Sequence, residues 1–189
     1  MISGIEGVLR YKSHDAVVVD VNGISFRIRV PTSTLSDLGP TGKRVHLHTH
    51  LMVKEDSLAL FGFASDEEIR AFELLIGVTG IGPKAALAVL SALNPARLAL
   101  AITSGDEALL SSIPGVGRKT AGRIVLELRS KFEQGDSIII HPHDDVRAAL
   151  ISLGYTAAEA SNAMAAIPVD SSLPLEDRVK LALKHFASS

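Results

Sequence analysis

Two glycine-rich stretches of this sequence have the residue types and spacing of a phosphate-binding turn. The first, "VTGIGPKAALAVL", covers residues 78–90, and the second, "IPGVGRKTAGRIV", covers residues 113–125. They repeat with a period of 35 residues, and both contain Gly-x-Gly-x-Lys. Glycine permits a tight turn and a close approach of a ligand to the backbone, because it has no Cβ. The candidate phosphate-binding residues are Gly80, Gly82, Lys84, Gly115, Gly117, Arg118, Lys119 and Arg123.

These turns match the sequence patterns of nucleotide-binding and dinucleotide-binding loops poorly. The phosphate loop of an ATPase follows a strand and has the pattern G-x-x-x-x-G-K-[ST]. Pro83 stands where that lysine is required in the first stretch, and Arg118 stands there in the second. The dinucleotide pattern G-x-G-x-x-A is satisfied by Gly80, Gly82 and Ala85. That fold also needs a preceding strand and an acidic residue about 20 residues further on, and neither is present here.

The helix expected after each turn favours a nucleic-acid backbone as the ligand. The first turn of a helix leaves backbone N–H groups free, and the helix dipole attracts an anion. Pro83 suits the first helical position, where its missing N–H is not needed. Two copies could hold two backbone positions of a duplex, which fixes position without reading base sequence. The alternative is that each Gly-x-Gly only makes a turn between helices, but the repetition with lysine at the same place favours the nucleic-acid interpretation.

The amino-acid composition and the charge distribution narrow the classes of protein to which this chain could belong. The chain has 189 residues and no cysteine, which excludes disulfides and thiolate metal sites. No apolar run is long enough for a membrane span and no signal peptide is visible, so a cytoplasmic location is the default expectation. The net charge is −2, but residues 1–64 carry +1, residues 65–135 carry 0 and residues 136–189 carry −3. A polyanion should therefore bind the first two thirds of the chain.

The pattern along the chain predicts β structure followed by two helical segments. Five short strands are expected within residues 1–63, with Asn22-Gly23 as a hairpin turn, and this suits an OB-fold barrel. Residues 65–132 read as four or five short helices, the first capped by Ser65. Residues 134–143 are expected to be a linker, although their isoleucines could form a strand. Residues 144–187 read as three helices, with Gly154 as a C-cap and a capping box from Thr156 to Glu159.

The paired hairpins behind a barrel resemble the RuvA family of Holliday-junction-binding proteins. Further stretches also resemble that family, in the same order along nearly the whole chain: "MISGIEGVL" at the start, "THLMVKEDSLALFGF" at 49–63 and "ALISLGYTAAEA" at 149–160. The resemblance implies a multi-domain β + α protein. Its expected parts are an OB-fold at 1–64, a tandem helix-hairpin-helix domain at 65–133, a flexible linker at 134–143 and a three-helix, UBA-like domain at 144–189.

The resemblance also implies partners and a function. A homotetramer formed through the barrel would bind a four-way junction, as one or two tetramers, hold it open and square-planar, and recruit a RuvB-type AAA+ ATPase. A RuvC-type resolvase would join the same complex. The process would be branch migration in recombination, DNA repair and the SOS response. The chain itself would need no cofactor or metal and would not be an enzyme.

Two further sets of residues take their roles from the resemblance. Glu55 and Asp56, in the turn "KED", would form an acidic pin whose charge repels phosphates at the junction centre. Without the family they would read as an ordinary solvated turn. Leu150, Leu153 and Tyr155 would dock the motor, although Leu150 fits the core of a small helical domain equally well.

Several features leave alternatives open. His46, His48 and His50 alternate along one strand, where a metal site is conceivable, but no carboxylate accompanies them within the strand. Arg27 and Arg29 suit either a phosphate contact or a solvated strand face. Aromatic residues make up only 4% of the chain, which argues against base stacking on the barrel. The rival functions are a nuclease or glycosylase that uses the hairpins only for grip, and a scaffold protein whose hairpins only pack.

Overall fold

A computed structural model of the chain describes residues 2–134, 136, 138, 144–156, 159–160, 163 and 175–187. The chain divides into two compact units, residues 1–139 and residues 140–189. The predicted boundary between residues 64 and 65 lies inside the first unit, which contains both the strands and the helices up to residue 133.

Five strands form a closed barrel in the order β1-β2-β3-β5-β4. Neighbouring strands are antiparallel except β3 and β5, which are parallel. Asn22 and Gly23 have φ angles of 52° and 91°, as a two-residue turn between β2 and β3 requires. The predicted five-stranded barrel and its first hairpin are thereby confirmed. The strands are β1 (Gly4–Lys12), β2 (Ala16–Val21), β3 (Ile24–Arg29), β4 (Arg44–Val53) and β5 (Leu58–Phe63).

The barrel encloses its own apolar core. Leu9, Val17, Val19, Ile28 and Leu47 are fully buried, because alternate residues of each strand point inward. A short helix that the sequence analysis missed, α1 (Thr32–Asp37), lies between β3 and β4.

Five helices follow the barrel in the same unit. Three of them begin at a residue whose side chain accepts a hydrogen bond from the first turn: Ser65, Asn94 and Asp106. The predicted Ser65 cap is thus confirmed. The helices are α2 (Asp66–Ile76), α3 (Pro83–Ala92), α4 (Pro95–Ser104), α5 (Glu107–Ser111) and α6 (Arg118–Glu133).

No single helix among the described residues is long and apolar enough to cross a membrane. The pair α3 and α4 passes that test by length and composition together, with a bend of 100° between them. Several apolar side chains of this pair lie in the core of the helical region, namely Val89, Leu90, Leu98 and Ile102.

A buried carboxylate and an aromatic cluster join the barrel to α2. Glu68 accepts hydrogen bonds from Thr34 Oγ1 at 2.9 Å, from Ser33 Oγ at 3.2 Å and from the Ala64 N–H at 2.9 Å. These bonds fix α1 against α2, because a buried carboxylate is stable only when hydrogen-bonded. Phe61 and Phe63 of β5 pack on Phe72, with ring centroids 5.1 and 4.9 Å from it.

Only part of the predicted linker can be compared with the structure. Ile138 is fully buried in the core of the helical region, and the Asp136 N–H donates to the Lys131 carbonyl at 3.0 Å. Residues 135, 137 and 139–143 lie outside the described residues. The alternative prediction of a strand at these isoleucines therefore also lies outside them.

The second unit contains α7 (Asp144–Ser152) and α8 (Leu175–Ala187). Gly154 has a φ of 98°, and the Tyr155 N–H donates to the Leu150 carbonyl at 3.2 Å, which confirms the predicted C-cap of α7. The predicted capping box is also confirmed. Glu159 accepts from the Thr156 N–H at 2.8 Å and from Thr156 Oγ1 at 2.7 Å, and residues 159, 160 and 163 are helical.

Candidate nucleic-acid interface

The two glycine turns have the same backbone conformation. Gly80 and Gly115 both have a φ of 89°, a value that L-residues with a side chain rarely adopt. The next glycine of each turn, Gly82 or Gly117, is extended and precedes the first residue of α3 or α6. The period of 35 residues seen in the sequence is therefore a repeat of conformation as well as of composition.

The same hydrogen bonds close both turns. In the first, the Ile81 N–H donates to the Val78 carbonyl at 3.1 Å, and in the second the Val116 N–H donates to the Ile113 carbonyl at 3.0 Å. All four side chains are buried in the core of the helical region. These apolar residues hold the turns in place, while the four glycines between and beside them are exposed.

The helices that follow the turns begin without a side-chain cap. Gly82 and Gly117 have no side chain to accept a bond, and neither α3 nor α6 has an acidic residue in its first turn. In α3 the first intrahelical hydrogen bond runs from the Ala86 N–H to the Gly82 carbonyl. In α6 it runs from the Ala121 N–H to the Gly117 carbonyl. The N–H groups that precede these bonds point out of the helix start. Both helix starts are thus open to an outside anion, in contrast to α2, α4 and α5.

Positive charge flanks both helix starts. Lys84, Arg118 and Lys119 are exposed, and none of them forms an ion pair within the part of the chain that the structure describes. Arg123 differs from them. It is half-buried, and its Nη1 donates to the carbonyl oxygen of Thr79 in the first turn at 3.2 Å.

The turn with Glu55 and Asp56 is the tip of the β4–β5 hairpin. The Lys54 N–H donates to the Ser57 carbonyl at 2.9 Å, which leaves the two acidic residues at the end of the hairpin, both exposed. Below them Val53 and Leu58 face each other across the two strands, with 66% and 73% of their surface exposed. This exposed apolar pair was not predicted from the sequence, although Val53 continues the apolar alternation along β4.

Two of the three histidines contact α2, and the third packs against one of these two. His48 Nδ1 lies 2.8 Å from Asp66 Oδ1, and His50 Nδ1 lies 2.9 Å from Glu73 Oε1. The ring of His46 packs edge-on against that of His48, with centroids 5.0 Å apart. Within the described residues, no three histidine or carboxylate side chains converge in a group that could hold a metal ion. The carboxylates missing from the strand come from the neighbouring helix.

In the second unit, the three predicted docking residues differ in exposure. Leu150 is fully buried with Val146 and Ala182, and Tyr155 is half-buried against this core. Leu153 is 60% exposed, and Ile151, two residues earlier in the chain, is also exposed. Of the three predicted docking residues, Leu153 is therefore the one with a largely exposed apolar side chain.

A closed five-stranded barrel followed by two equivalent glycine turns places this protein in the tandem helix-hairpin-helix class. Three family models match it: "RuvA N terminal domain" at residues 1–62, "SAM-like Helix-hairpin-helix tandem" at 72–130 and "RuvA, C-terminal domain" at 142–187. The chain belongs to the RuvA family.

Curated relatives match the chain over nearly its whole length. A protein of Dehalococcoides mccartyi is 46% identical over 191 residues, covering 98% of both chains. A relative from Chloroflexus aggregans is 44% identical, and the match covers 100% of both chains. A relative from Geobacter sulfurreducens is 42% identical, and the match covers 97% of this chain and 98% of the relative. Each of the three is named "Holliday junction branch migration complex subunit RuvA".

Proposed function

We propose that this protein is the DNA-binding subunit of a branch-migration complex and binds four-way DNA junctions in recombination and repair. The observation that carries the proposal is the pair of glycine turns with the same backbone conformation, each leading into an uncapped helix start flanked by cations. The names of the relatives support the choice of a junction as the substrate.

At each turn the ligand is a backbone phosphate. The dipole and the free N–H groups of the helix start attract the anion, and glycine lets the phosphate approach the main chain. An added Cβ at Gly82 or Gly117 would meet no protein atom within 4 Å. Since both residues also have extended backbones, the fold itself does not require glycine there, and this supports a role in ligand approach.

The acidic hairpin tip acts at the junction centre. Four subunits around one junction would bring four copies of Glu55 and Asp56 close to the crossing strands. Their repulsion of phosphates would keep the centre open and favour a square-planar arrangement, at some loss of affinity. The homotetramer, alone or as two tetramers on one junction, is part of this proposal.

The second unit recruits the ATP-driven motor. An apolar surface around Leu153 and Ile151 is suited to dock a RuvB-type ATPase, and a RuvC-type resolvase would share the complex. The chain described here would work in the cytoplasm without catalytic residues of its own, and hydrolysis of ATP would belong to the partner.

A gel-shift titration in EDTA tests the proposal. A four-way junction is compared with linear duplex of the same sequences at two salt concentrations. We expect strong preference for the junction and weaker binding at higher salt. Lys84→Ala combined with Lys119→Ala should weaken binding about tenfold or more and lower the salt slope by about 2 for each bound subunit.

Arg97→Ala is the control, because Arg97 is an exposed cation of α4 outside both hairpins. Equal binding to junction and duplex would contradict the proposal, and unchanged affinity of the double variant would contradict the hairpin assignment. A parallel incubation in Mg²⁺ separates the enzymatic rival, since a nuclease would cleave the junction.

A further inference from the structure

The outer face of β1, β2 and β3 carries an aromatic ring and three arginines that the hairpin site does not use. Tyr11 pairs with Val18, and Val18 pairs with Arg27, so the three residues lie on one rung across three strands. Directly paired residues project from the same side of a sheet. Tyr11 is 61% exposed, Arg27 is exposed and Val18 between them is half-buried.

This face of the barrel carries a net positive charge. Arg27 and Arg29 form no ion pair and no side-chain hydrogen bond within the described part of the chain. Arg10 lies 3.8 Å from Asp20, which offsets one charge. Asp15, in the turn between β1 and β2, accepts a hydrogen bond from Ser13 Oγ at 3.2 Å. Two guanidinium groups are therefore free on a protein whose net charge is −2.

The spacing suits an extended polyanion. Arg27 and Arg29 are two residues apart on one strand, so their Cα atoms are separated by about 7 Å. Tyr11 lies two strands away from Arg27, about 10 Å across the sheet. An exposed ring beside a row of guanidinium groups is the combination by which OB-fold barrels bind single strands, with bases stacked on the ring and phosphates on the cations.

We infer that this outer barrel face, formed by Tyr11, Arg27 and Arg29, binds single-stranded nucleic acid at a site separate from the hairpins. An acidic protein segment would use the two arginines but would gain little from the exposed ring. The aromatic content of the whole chain is low, but a single exposed tyrosine in this position supplies a stacking surface. The inference does not depend on junction binding by the hairpins.

Fluorescence anisotropy with a labelled 20-mer of thymidine tests the site in the full-length protein. Arg27→Ala with Arg29→Ala should weaken binding of this oligonucleotide about tenfold or more at low salt. Tyr11→Ala should weaken it about fivefold or more, and Tyr11→Phe should retain it. The hairpin variant with Lys84→Ala and Lys119→Ala should lose much more affinity for duplex and junction than for the 20-mer, because the barrel face keeps its ring and both arginines.

Arg44→Ala is the matched control, because Arg44 is an exposed barrel arginine that pairs with Glu6 at 3.1 Å on another strand pair. The double variant Arg27→Lys with Arg29→Lys keeps both positive charges and should retain most of the affinity for the 20-mer. It serves as a second control in case the double alanine variant does not fold. The site is excluded if the wild type does not bind the 20-mer, or if the hairpin variant alone loses binding. It is also excluded if Tyr11→Ala has no effect and polyglutamate competes as well as the oligonucleotide does.

Discussion

Arg123 of α6 donates a hydrogen bond from Nη1 to the carbonyl oxygen of Thr79 at 3.2 Å, across 44 residues of chain. One helical turn further on, Glu127 Oε2 accepts from the Thr79 N–H at 3.3 Å. The helix of the second hairpin therefore binds both the backbone N–H and the backbone carbonyl of one residue, Thr79, in the first hairpin. For Arg123 this is a structural role, which can be tested separately from any contact with DNA.

We predict that Arg123→Ala lowers the free energy of unfolding by about 1 kcal/mol, because a side chain that fixes the first turn is lost. Lys119→Ala on the same helix is the control, and it should leave stability unchanged because Lys119 is exposed. Denaturant unfolding of the two variants measures the difference. Equal stability of both would mean that the bond to Thr79 does not support the turn.

The two glycines of each hairpin should respond differently to substitution. Gly80→Ala or Gly115→Ala should lower the free energy of unfolding by about 1–2 kcal/mol, because both residues have a φ of 89°. Gly82→Ser with Gly117→Ser should leave it unchanged or raise it by a few tenths of a kcal/mol, because serine caps a helix start slightly better than glycine.

The serine variant should nevertheless lose DNA affinity, about tenfold or more, since its hydroxyl groups would occupy the N–H groups proposed to bind phosphate. Thermal unfolding and the gel shift, on the same protein preparation, separate the two effects. A stable serine variant with full affinity would exclude the helix starts as the contact.

Neutralising the hairpin tip should not weaken binding. Glu55→Gln with Asp56→Asn removes two like charges per subunit, and we expect junction affinity to stay the same or rise roughly two- to tenfold at low salt. Opening of the junction centre, followed by 2-aminopurine fluorescence at the crossing point, should decrease. Glu133→Gln, at the exposed end of α6, serves as the control. A large loss of affinity in the tip variant would contradict the repulsion argument.

The capping box of the second unit should be visible in a titration. Hydrogen bonds from the Thr156 side chain and backbone hold the pKa of Glu159 below its ordinary value. A lowered pKa means that the interaction stabilises the folded state above the ordinary pKa and is lost as the pH falls through the folded-state value. Carbon-detected NMR should show this lowered midpoint.

Thr156→Ala should move the midpoint of Glu159 upward, since the side-chain bond is the larger cause. Ser152→Ala, whose hydroxyl donates to the Ala149 carbonyl in α7, should not move it. An unchanged midpoint in Thr156→Ala would show that the hydroxyl is not the source of the shift.

Local signals in the sequence were sufficient for much of the fold. The Asn22-Gly23 turn, the Ser65 cap and the Thr156–Glu159 box each depend on residues within three or four positions of one another, and the structure confirms them. The hairpin repeat was visible for the same reason, because each turn is built from a short run of glycine and apolar residues.

The features that were missed depend on residues far apart in the sequence. The six residues of α1 lack apolar periodicity, and the helix is held by Lys12 Nζ, which donates to the Leu35 carbonyl at 2.9 Å, and by Glu68 of α2. The histidines of β4 gave no sign of the α2 carboxylates that contact them. Leu150 and Leu153 differ by only three positions, yet one is buried and the other exposed, which depends on where α7 ends.

The two hairpins share their turns, but they are not interchangeable. The positions equivalent to Arg123 and Glu127 in the first copy are Ala88 and Ala92, and the position equivalent to Thr79 in the second is Pro114, which has no N–H to donate. The second hairpin therefore cannot be held by the same pair of bonds, because Pro114 lacks the donor and Ala88 and Ala92 lack the side chains. During synthesis the ribosome makes the first turn 44 residues before the arginine that fixes it. The two bonds from α6 to Thr79 can therefore form only after the second hairpin has been made.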